Sequence, residues 1–259
     1  MTTLKLWLKE NPGLRASVWV QMALIVIALV GLPLDHRQVL GLNPWVKPLK
    51  FDLSVVIYLV TIAGMLSGIV GLRRSRLVIG WGIGVAMIVE DFIISMQSLR
   101  GVRSHMNYAT LFDGVAFGIM GNFIAFNTLL IAWLLVLACF NRTQWSRPIA
   151  WGVRLGLLAL VAGSMEGVLM VIHGAHTVGG PDGSAGLFFV NWSRQFGDLR
   201  VAHFFAIHAL QAMPLFGWLL TRTQLAERVK LTLVVVGFLA YMAGVGALFE
   251  QAMAAQPVF

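Results

Sequence analysis

The chain has 259 residues, of which 58% are hydrophobic and only 12% are charged. Soluble domains carry about 25% charged residues, so this composition excludes a soluble globular protein and indicates an integral membrane protein. The formal net charge is +8, but the basic residues are dispersed between apolar stretches and form no tract. Such residues are typical of loops that orient a membrane protein, and we predict no nucleic-acid partner.

Apolar stretches recur along the whole chain, and each is long enough to cross about 30 Å of hydrocarbon as a helix of about 20 residues. They lie near residues 17–34, 51–72, 77–99, 110–140, 149–174, 201–220 and 229–253. We therefore predict an all-α fold, a polytopic helical bundle of about seven transmembrane helices. This bundle is expected to form a single domain over residues 1–259.

The charge of the loops predicts the orientation of the bundle. With the N-terminus inside, the inner loops carry more Lys and Arg than the outer loops, as expected for the cytoplasmic side of a membrane protein. We predict an N-in, C-out topology in a bacterial-type cytoplasmic (inner) membrane. Arg103 and Arg200 fall on the outer side beside unusual polar residues, so we interpret them as parts of a site.

Two outer connections differ from ordinary turns. Residues 35–50 contain Pro44 and Pro48, which disfavour a regular helix, so this segment is predicted to lie along the membrane surface. The connection over residues 176–200 begins with turn residues and continues with an apolar, aromatic segment. Loops longer than about 12 to 15 residues are usually functional or disordered, and aromatic residues disfavour disorder. We predict a lid over the outer mouth, with a passive interfacial loop as the alternative.

Small residues recur at a spacing of four in several apolar stretches. Examples are Gly80 with Gly84 and Gly152 with Gly156. Such pairs allow two helix backbones to approach closely in lipid. We predict helix contacts at these positions and infer no function from them.

Ionisable side chains interrupt the apolar stretches toward one end of each stretch. They are Glu90, Glu166, His173, His203 and His208. Such a group at membrane depth costs about 2.5 to 3.5 kcal/mol on insertion scales, so we expect these side chains to be organised around a site. The helical rise places Glu90, Glu166 and His208 at one level, about 12 to 13 Å below the outer helix ends.

The helical repeat places some of these side chains on the same helix face and others on different faces. Glu166 and His173 share a helix face, and so do His208 and Gln211. His203 and His208 differ by about 140° around their helix. Asp91 points away from Glu90 and is therefore expected to have its own partner, a backbone donor or an arginine.

We predict from this pattern a polar site that opens to the outer face, in a metal-dependent enzyme acting on a lipid or hydrophobic small molecule. Imidazoles and carboxylates suit zinc, iron or copper, and bundle sites take ligands from several helices. The candidate metal ligands are Glu166, His173, His203 and His208. The candidate catalytic residues are Glu90, Asp113, Arg103 and Arg200, and the candidate cofactor-binding residues are His105 and Gln211. Reaction type, hydrolysis or oxidation, stays open.

In a purely structural interpretation, these acids and histidines pair with arginines and backbone carbonyls and fix helix packing. Two functional alternatives explain the same residues. In the first, intramembrane acids and histidines relay protons or bind a cation in a transporter or sensor. In the second, one or two histidines ligate a single haem, or aromatic residues line a quinone pocket, in a redox membrane protein.

Overall fold

The computed structural model describes residues 3–258. In this part of the chain the structure has eight α-helices: α1 (Thr3–Glu10), α2 (Pro12–Leu34), α3 (Val46–Gly68), α4 (Arg73–Arg100), α5 (Leu111–Phe140), α6 (Arg147–His173), α7 (Leu199–Thr221) and α8 (Glu227–Met253). Two short strands, β1 (Thr177–Val178) and β2 (Gly197–Asp198), pair antiparallel before α7. Seven helices, α2 to α8, are long and apolar enough to cross a membrane. This confirms the predicted all-α fold of about seven apolar helices and is consistent with a membrane-embedded protein.

Proline and glycine mark several helix ends. Pro12 and Pro148 occupy the first turns of α2 and α6, where a missing N–H removes no helical hydrogen bond. Gly101 and Gly174 follow α4 and α6 with a φ of +73° each, in the left-handed region that favours glycine. The prediction that Pro44 and Pro48 prevent a regular helix over residues 35–50 is wrong from Val46 onward, because Pro48 lies in the first turn of α3 and is tolerated there. That the segment before Val46 lies along the membrane surface stays a prediction.

The chain forms two compact units. Unit 1 comprises the described residues up to Ser67 together with Leu72–Leu130 and Asp182–Asn191. Unit 2 comprises Gly68–Gly71, Ile131–Pro181 and the described residues from Trp192 onward. The connection before α7 is thus divided, because its middle part belongs to unit 1. That the whole chain is a single domain stays a prediction.

In unit 1, α2 packs directly against α4. An ideal Cβ added to Gly84 of α4 would lie only 2.7 Å from the carbonyl oxygen of Gly13 in α2. This approach leaves no room for a side chain and explains why glycine stands there. Around the contact, Leu14 of α2, Leu66 of α3 and Ile83 of α4 are fully buried.

In unit 2, α6 and α7 pack closely through glycines. An ideal Cβ added to Gly152 of α6 would lie 2.4 Å from the carbonyl oxygen of Met213 in α7. One added to Gly156 would lie 2.7 Å from the carbonyl oxygen of Ala209. The predicted contact of the pair Gly152 and Gly156 with a neighbouring helix is therefore confirmed. Helix α8 completes this core, because Tyr241 packs against buried residues of α6 and α7.

Candidate functional site

Three buried acidic side chains of unit 1 have carboxylate oxygens without a hydrogen-bond partner among the described residues, and they lie on helices that are long enough to span the membrane. Asp52 of α3 and Asp91 of α4 are 0% exposed, and Glu90 of α4 is 4% exposed. Both carboxylate oxygens of Asp52, both of Asp91 and Oε2 of Glu90 accept no hydrogen bond from any residue that the structure describes. Asp91 interacts electrostatically with both Asp52 and Glu90. We call these three residues the acidic cluster.

The acidic cluster lies below one end of unit 1. Asp52 is six residues after the start of α3, which corresponds to a depth of about 9 Å. Asp91 is nine residues before the end of α4, at a depth of about 14 Å. Because α3 starts and α4 ends beside His105, we call this the His105 end. The opposite end, where α2 begins, is the Asn11 end.

His105 connects the acidic cluster to the surface. Its Nε2 atom lies 3.4 Å from Oε1 of Glu90, and 29% of the His105 side chain is exposed. On the other side of the ring, Nζ of Lys47 and Oγ of Ser104 each lie 3.1 Å from Nδ1. An ammonium group only donates hydrogen bonds, so Nδ1 accepts and the ring proton is on Nε2, facing Glu90.

Aromatic rings border the His105 side chain. Its ring centroid lies 6.0 Å from that of Phe51 and 6.0 Å from that of Phe117. Lys47 and Ser104 face one nitrogen of this imidazole, and Glu90 faces the other.

Asp91 has a different environment from the one that the sequence predicts. We expected a backbone donor or an arginine beside its carboxylate, but no described residue donates to either oxygen. Its electrostatic neighbours are instead Asp52 and Glu90. An ionised carboxylate in an apolar interior is costly unless it is paired, so this environment differs from the paired one that we predicted. The prediction of a cationic or backbone partner for Asp91 is therefore wrong.

Asp113 anchors the start of α5. Oγ1 of Thr110 donates to Oδ2 of Asp113 and accepts from its backbone N–H, at 2.6 and 3.1 Å. Gln97 and Arg100, both on α4, donate to Oδ1. This arrangement is that of a helix N-terminal cap tied to a neighbouring helix. The catalytic role predicted for Asp113 stays a prediction.

Arg103 holds part of the long connection onto unit 1. Its Nη2 donates to Oδ2 of Asp182 at 3.0 Å. Two further hydrogen bonds fix the same segment, one from Nζ of Lys50 to the carbonyl oxygen of Val190 and one from Asn191 to that of Leu40. Residues 182–191 are therefore bound to the start of α3 and to the connections at the His105 end. Their function as a lid, and a catalytic role for Arg103, stay predictions.

The remaining predicted site residues lie in unit 2. Nδ1 of His203 lies 2.9 Å from the carbonyl oxygen of Gly163, and Nδ1 of His208 lies 2.7 Å from that of Phe204. His173 is exposed, and its Nε2 lies 3.2 Å from the carbonyl oxygen of Thr177. One nitrogen of each ring thus faces a carbonyl, to which it can only donate.

Three further predicted residues complete this description of unit 2. Arg200 forms an ion pair with Asp198, the N-cap residue of α7. Glu166 of α6 and Gln211 of α7 are half-buried. Because Glu90 belongs to unit 1 and Glu166 and His208 belong to unit 2, a common site of these three residues stays a prediction.

Among the described residues, no group of three or more His, Cys, Asp or Glu side chains is arranged to hold a metal ion. The predicted ligand set of Glu166, His173, His203 and His208 stays a prediction, as do haem and the cofactor-binding roles of His105 and Gln211.

No protein-family model, curated protein or solved structure matches the chain.

Proposed function

We propose that this chain is a proton-coupled membrane protein, a transporter or sensor, in which the acidic cluster takes up and releases protons through His105. The observation that carries the proposal is the environment of Glu90. One of its oxygens faces Nε2 of His105, and the other accepts no hydrogen bond from the described residues. Intramembrane acids with a histidine beside them are characteristic of proton relays.

The contacts of His105 support a balanced proton transfer. A proton passes from Nζ of Lys47 to Nδ1 of His105, and the proton on Nε2 passes to Oε1 of Glu90. The imidazole then returns to its Nε2–H tautomer and the Lys47 amine takes a proton from water, so the net result is one proton moved from solvent to Glu90. Both transfers use contacts that the folded chain already holds, at 3.1 and 3.4 Å.

The carboxylates of the acidic cluster are better suited to binding and transferring protons than to binding a metal ion. A proton needs no convergent shell of three or four ligands, whereas a transition metal does. Asp52 and Asp91 extend the set of acceptors beyond Glu90, since Asp91 interacts electrostatically with both. A metal-dependent enzyme built on the unit 2 histidines is the alternative prediction.

The charge of the loops suggests the orientation of unit 1. On this pattern, we propose that the His105 end faces outside, in a bacterial-type inner membrane.

The test is an infrared titration of the purified protein in detergent. A protonated carboxyl group in an apolar environment absorbs separately from an ionised one, so the acidic cluster should give a carboxyl band that changes with pH. We expect Asp91→Asn and Glu90→Gln to remove part of this band. Glu227→Gln is the matched control, because Glu227 is an exposed carboxylate in unit 2. A band that is the same in Asp91→Asn, Glu90→Gln and the unchanged protein would contradict the proposal.

A further inference from the structure

Helix α2 carries two polar side chains into the core of unit 1. Ser17 and Gln21 are fully buried, and neither Oγ of Ser17 nor Oε1 of Gln21 has a hydrogen-bond partner among the described residues. The two residues are four positions apart, so they share one helix face. We call Ser17 and Gln21 the polar row. Buried polar atoms without partners are rare in folded proteins and call for an explanation.

The polar row begins about one helical turn from the level of Asp91. Nε2 of Gln21 donates to the carbonyl oxygen of Met87 on α4, at 3.2 Å. Met87 is one helical turn before Asp91, a distance of about 6 Å along the axis. Ser17 lies about 6 Å farther toward the Asn11 end. The polar row therefore extends from the level of the acidic cluster into the other half of unit 1.

A layer of leucine separates the polar row from the Asn11 end. Leu14 of α2 and Leu66 of α3 are fully buried. They meet at Gly80 of α4, where an ideal Cβ would lie 3.7 Å from Cγ of Leu14 and 3.7 Å from Cδ1 of Leu66. We call Leu14 and Leu66 the leucine layer. Oδ1 of Asn11 lies 3.8 Å from the same ideal Cβ position of Gly80, so a polar atom lies directly next to the leucine layer.

Asn11 forms the polar group beyond the leucine layer. Its Nδ2 donates to Oγ of Ser67 at 3.2 Å and to the carbonyl oxygen of Trp7 at 2.8 Å. Unit 1 therefore has polar groups from His105 through the acidic cluster and the polar row to Asn11, interrupted by one apolar layer. Polar side chains support water-mediated proton transfer, and a thin apolar constriction blocks it by excluding water.

We propose that unit 1 conducts protons between its two ends along this route, and that the leucine layer is the barrier that limits the flow. The inference rests on the proposed function, since it makes the acidic cluster the proton source for the polar row. It adds a complete path across the unit, which proton binding at the His105 end alone does not require.

The experiment measures proton flux into phospholipid vesicles that contain the purified protein and a pH-sensitive dye. An acid pulse is applied outside, with potassium and valinomycin present to cancel the membrane potential. Leu14→Ala shortens one side chain of the leucine layer, and we expect a several-fold larger flux than in the unchanged protein. Leu157→Ala is the matched control, because Leu157 is an equally buried leucine in unit 2. It should leave the flux unchanged.

The double variant Leu14→Ala with Gln21→Leu tests the route itself. Leucine removes the unpaired buried oxygen of Gln21 together with the hydrogen bond from its Nε2 to Met87, so the gain and the loss offset each other and the fold should tolerate the change. We expect the flux to fall to the level of protein-free vesicles. A Leu14→Ala flux no larger than that of Leu157→Ala would overturn the barrier, and an undiminished flux in the double variant would overturn the route.

The infrared titration separates the two proposals. If the carboxyl band titrates and depends on Asp91 while Leu14→Ala shows no added flux, the conduction path is wrong and the proton-binding cluster stands. If the band does not depend on Glu90 or Asp91, both proposals fail. Circular dichroism and size-exclusion profiles that match the unchanged protein confirm that each variant is folded.

Discussion

Nε2 of His105 lies 3.4 Å from Oε1 of Glu90, and this contact joins a partly exposed imidazole to a carboxylate that is almost fully buried. The contact is longer than a strong hydrogen bond, and in the proposed relay it would tighten when the histidine becomes charged. Lys47 on the far side of the ring supplies the positive charge that favours transfer toward Glu90. His105 is therefore the residue through which we expect protons to reach the cluster.

Replacing His105 should slow proton uptake without removing the carboxylates that receive the proton. For His105→Gln we expect the carboxyl infrared band after a pH jump to develop on the order of 10²-fold more slowly, because a positioned acid–base group is lost. The equilibrium amplitude of the band should be retained. His36→Gln is the control, since His36 is an exposed imidazole in the connection before α3. An uptake rate equal to that of the unchanged protein would exclude His105 as the relay.

Breaking the ion pair between Arg103 and Asp182 should release the middle of the long connection. Ion pairs near the surface contribute about 0 to 1 kcal/mol, so Arg103→Gln should hardly change the unfolding midpoint. Limited proteolysis should nevertheless cut residues 182–191 faster, because a contact that holds this segment on unit 1 is lost. Arg194→Gln, which changes an exposed arginine of the same connection, should have no such effect.

A charge exchange makes this prediction sharper. The double variant Arg103→Asp with Asp182→Arg restores an ion pair of opposite polarity and should recover much of the protection against proteolysis. Cleavage as fast in the exchanged variant as in Arg103→Gln would show that the segment is not held by this pair.

Two glycine-to-alanine variants should have opposite effects on stability. In Gly152→Ala the new methyl group would lie 2.4 Å from the carbonyl oxygen of Met213, and overpacking of this kind costs about 1 to 3 kcal/mol. At Gly246 of α8 an added Cβ meets nothing within 4 Å, so alanine should stabilise the helix by up to about 1 kcal/mol. Thermal unfolding in detergent measures both. Equal midpoints for the two variants would contradict the close packing of α6 against α7.

The number and approximate position of the apolar helices could be predicted from sequence, because hydrophobic length alone identifies a helix that can span a membrane. The glycines at 152 and 156 were also predicted correctly as helix contacts, since small residues one turn apart have few other uses in lipid. Both inferences depend on local sequence. They need no knowledge of which helices are neighbours.

The composition of the acidic cluster could not be predicted in this way. Asp52 lies six residues into α3, just after Lys50 and Pro48, and these residues made the segment resemble a surface loop. The polar row was missed as well, because single Ser and Gln residues within an apolar stretch are common. Only helix rotation shows that Asp52, Gln21 and Asp91 all face the interior of unit 1, and the sequence does not specify rotation.

Thr110 should contribute measurably to stability through the start of α5. Its hydroxyl group bonds both the backbone and the side chain of Asp113, and loss of an N-terminal cap typically costs about 1 kcal/mol. We therefore expect Thr110→Ala to lower the free energy of unfolding by about that amount. Thr232→Ala should have a smaller effect, because Thr232 is an exposed residue inside α8. A loss in Thr232→Ala as large as in Thr110→Ala would contradict the cap.

Asp35, just after α2, gives a prediction of pH dependence outside the spanning helices. Hydrogen bonds from the Arg37 guanidinium, at 2.9 and 2.6 Å, hold the pKa of Asp35 well below its ordinary value of 3.8, and Nε1 of Trp45 also donates to this carboxylate. Because the folded-state pKa is depressed, the unfolded chain binds the proton more readily at low pH. The stabilisation is therefore complete above the ordinary pKa and is lost as the pH falls through the lower, folded-state pKa.

The variant Asp35→Asn isolates this contribution. Near neutral pH the unchanged protein should unfold at a higher temperature than Asp35→Asn, because only the carboxylate pairs with Arg37. The difference should shrink as the pH falls from the ordinary pKa of 3.8 toward the lower folded-state pKa, since the unfolded chain binds the proton first and the folded carboxylate only afterwards. Arg37→Gln should reduce the same pH dependence, because it removes the largest cause of the shifted pKa. A difference between the unchanged protein and Asp35→Asn that stays constant over this range would show that Asp35 acts through packing and not through its charge.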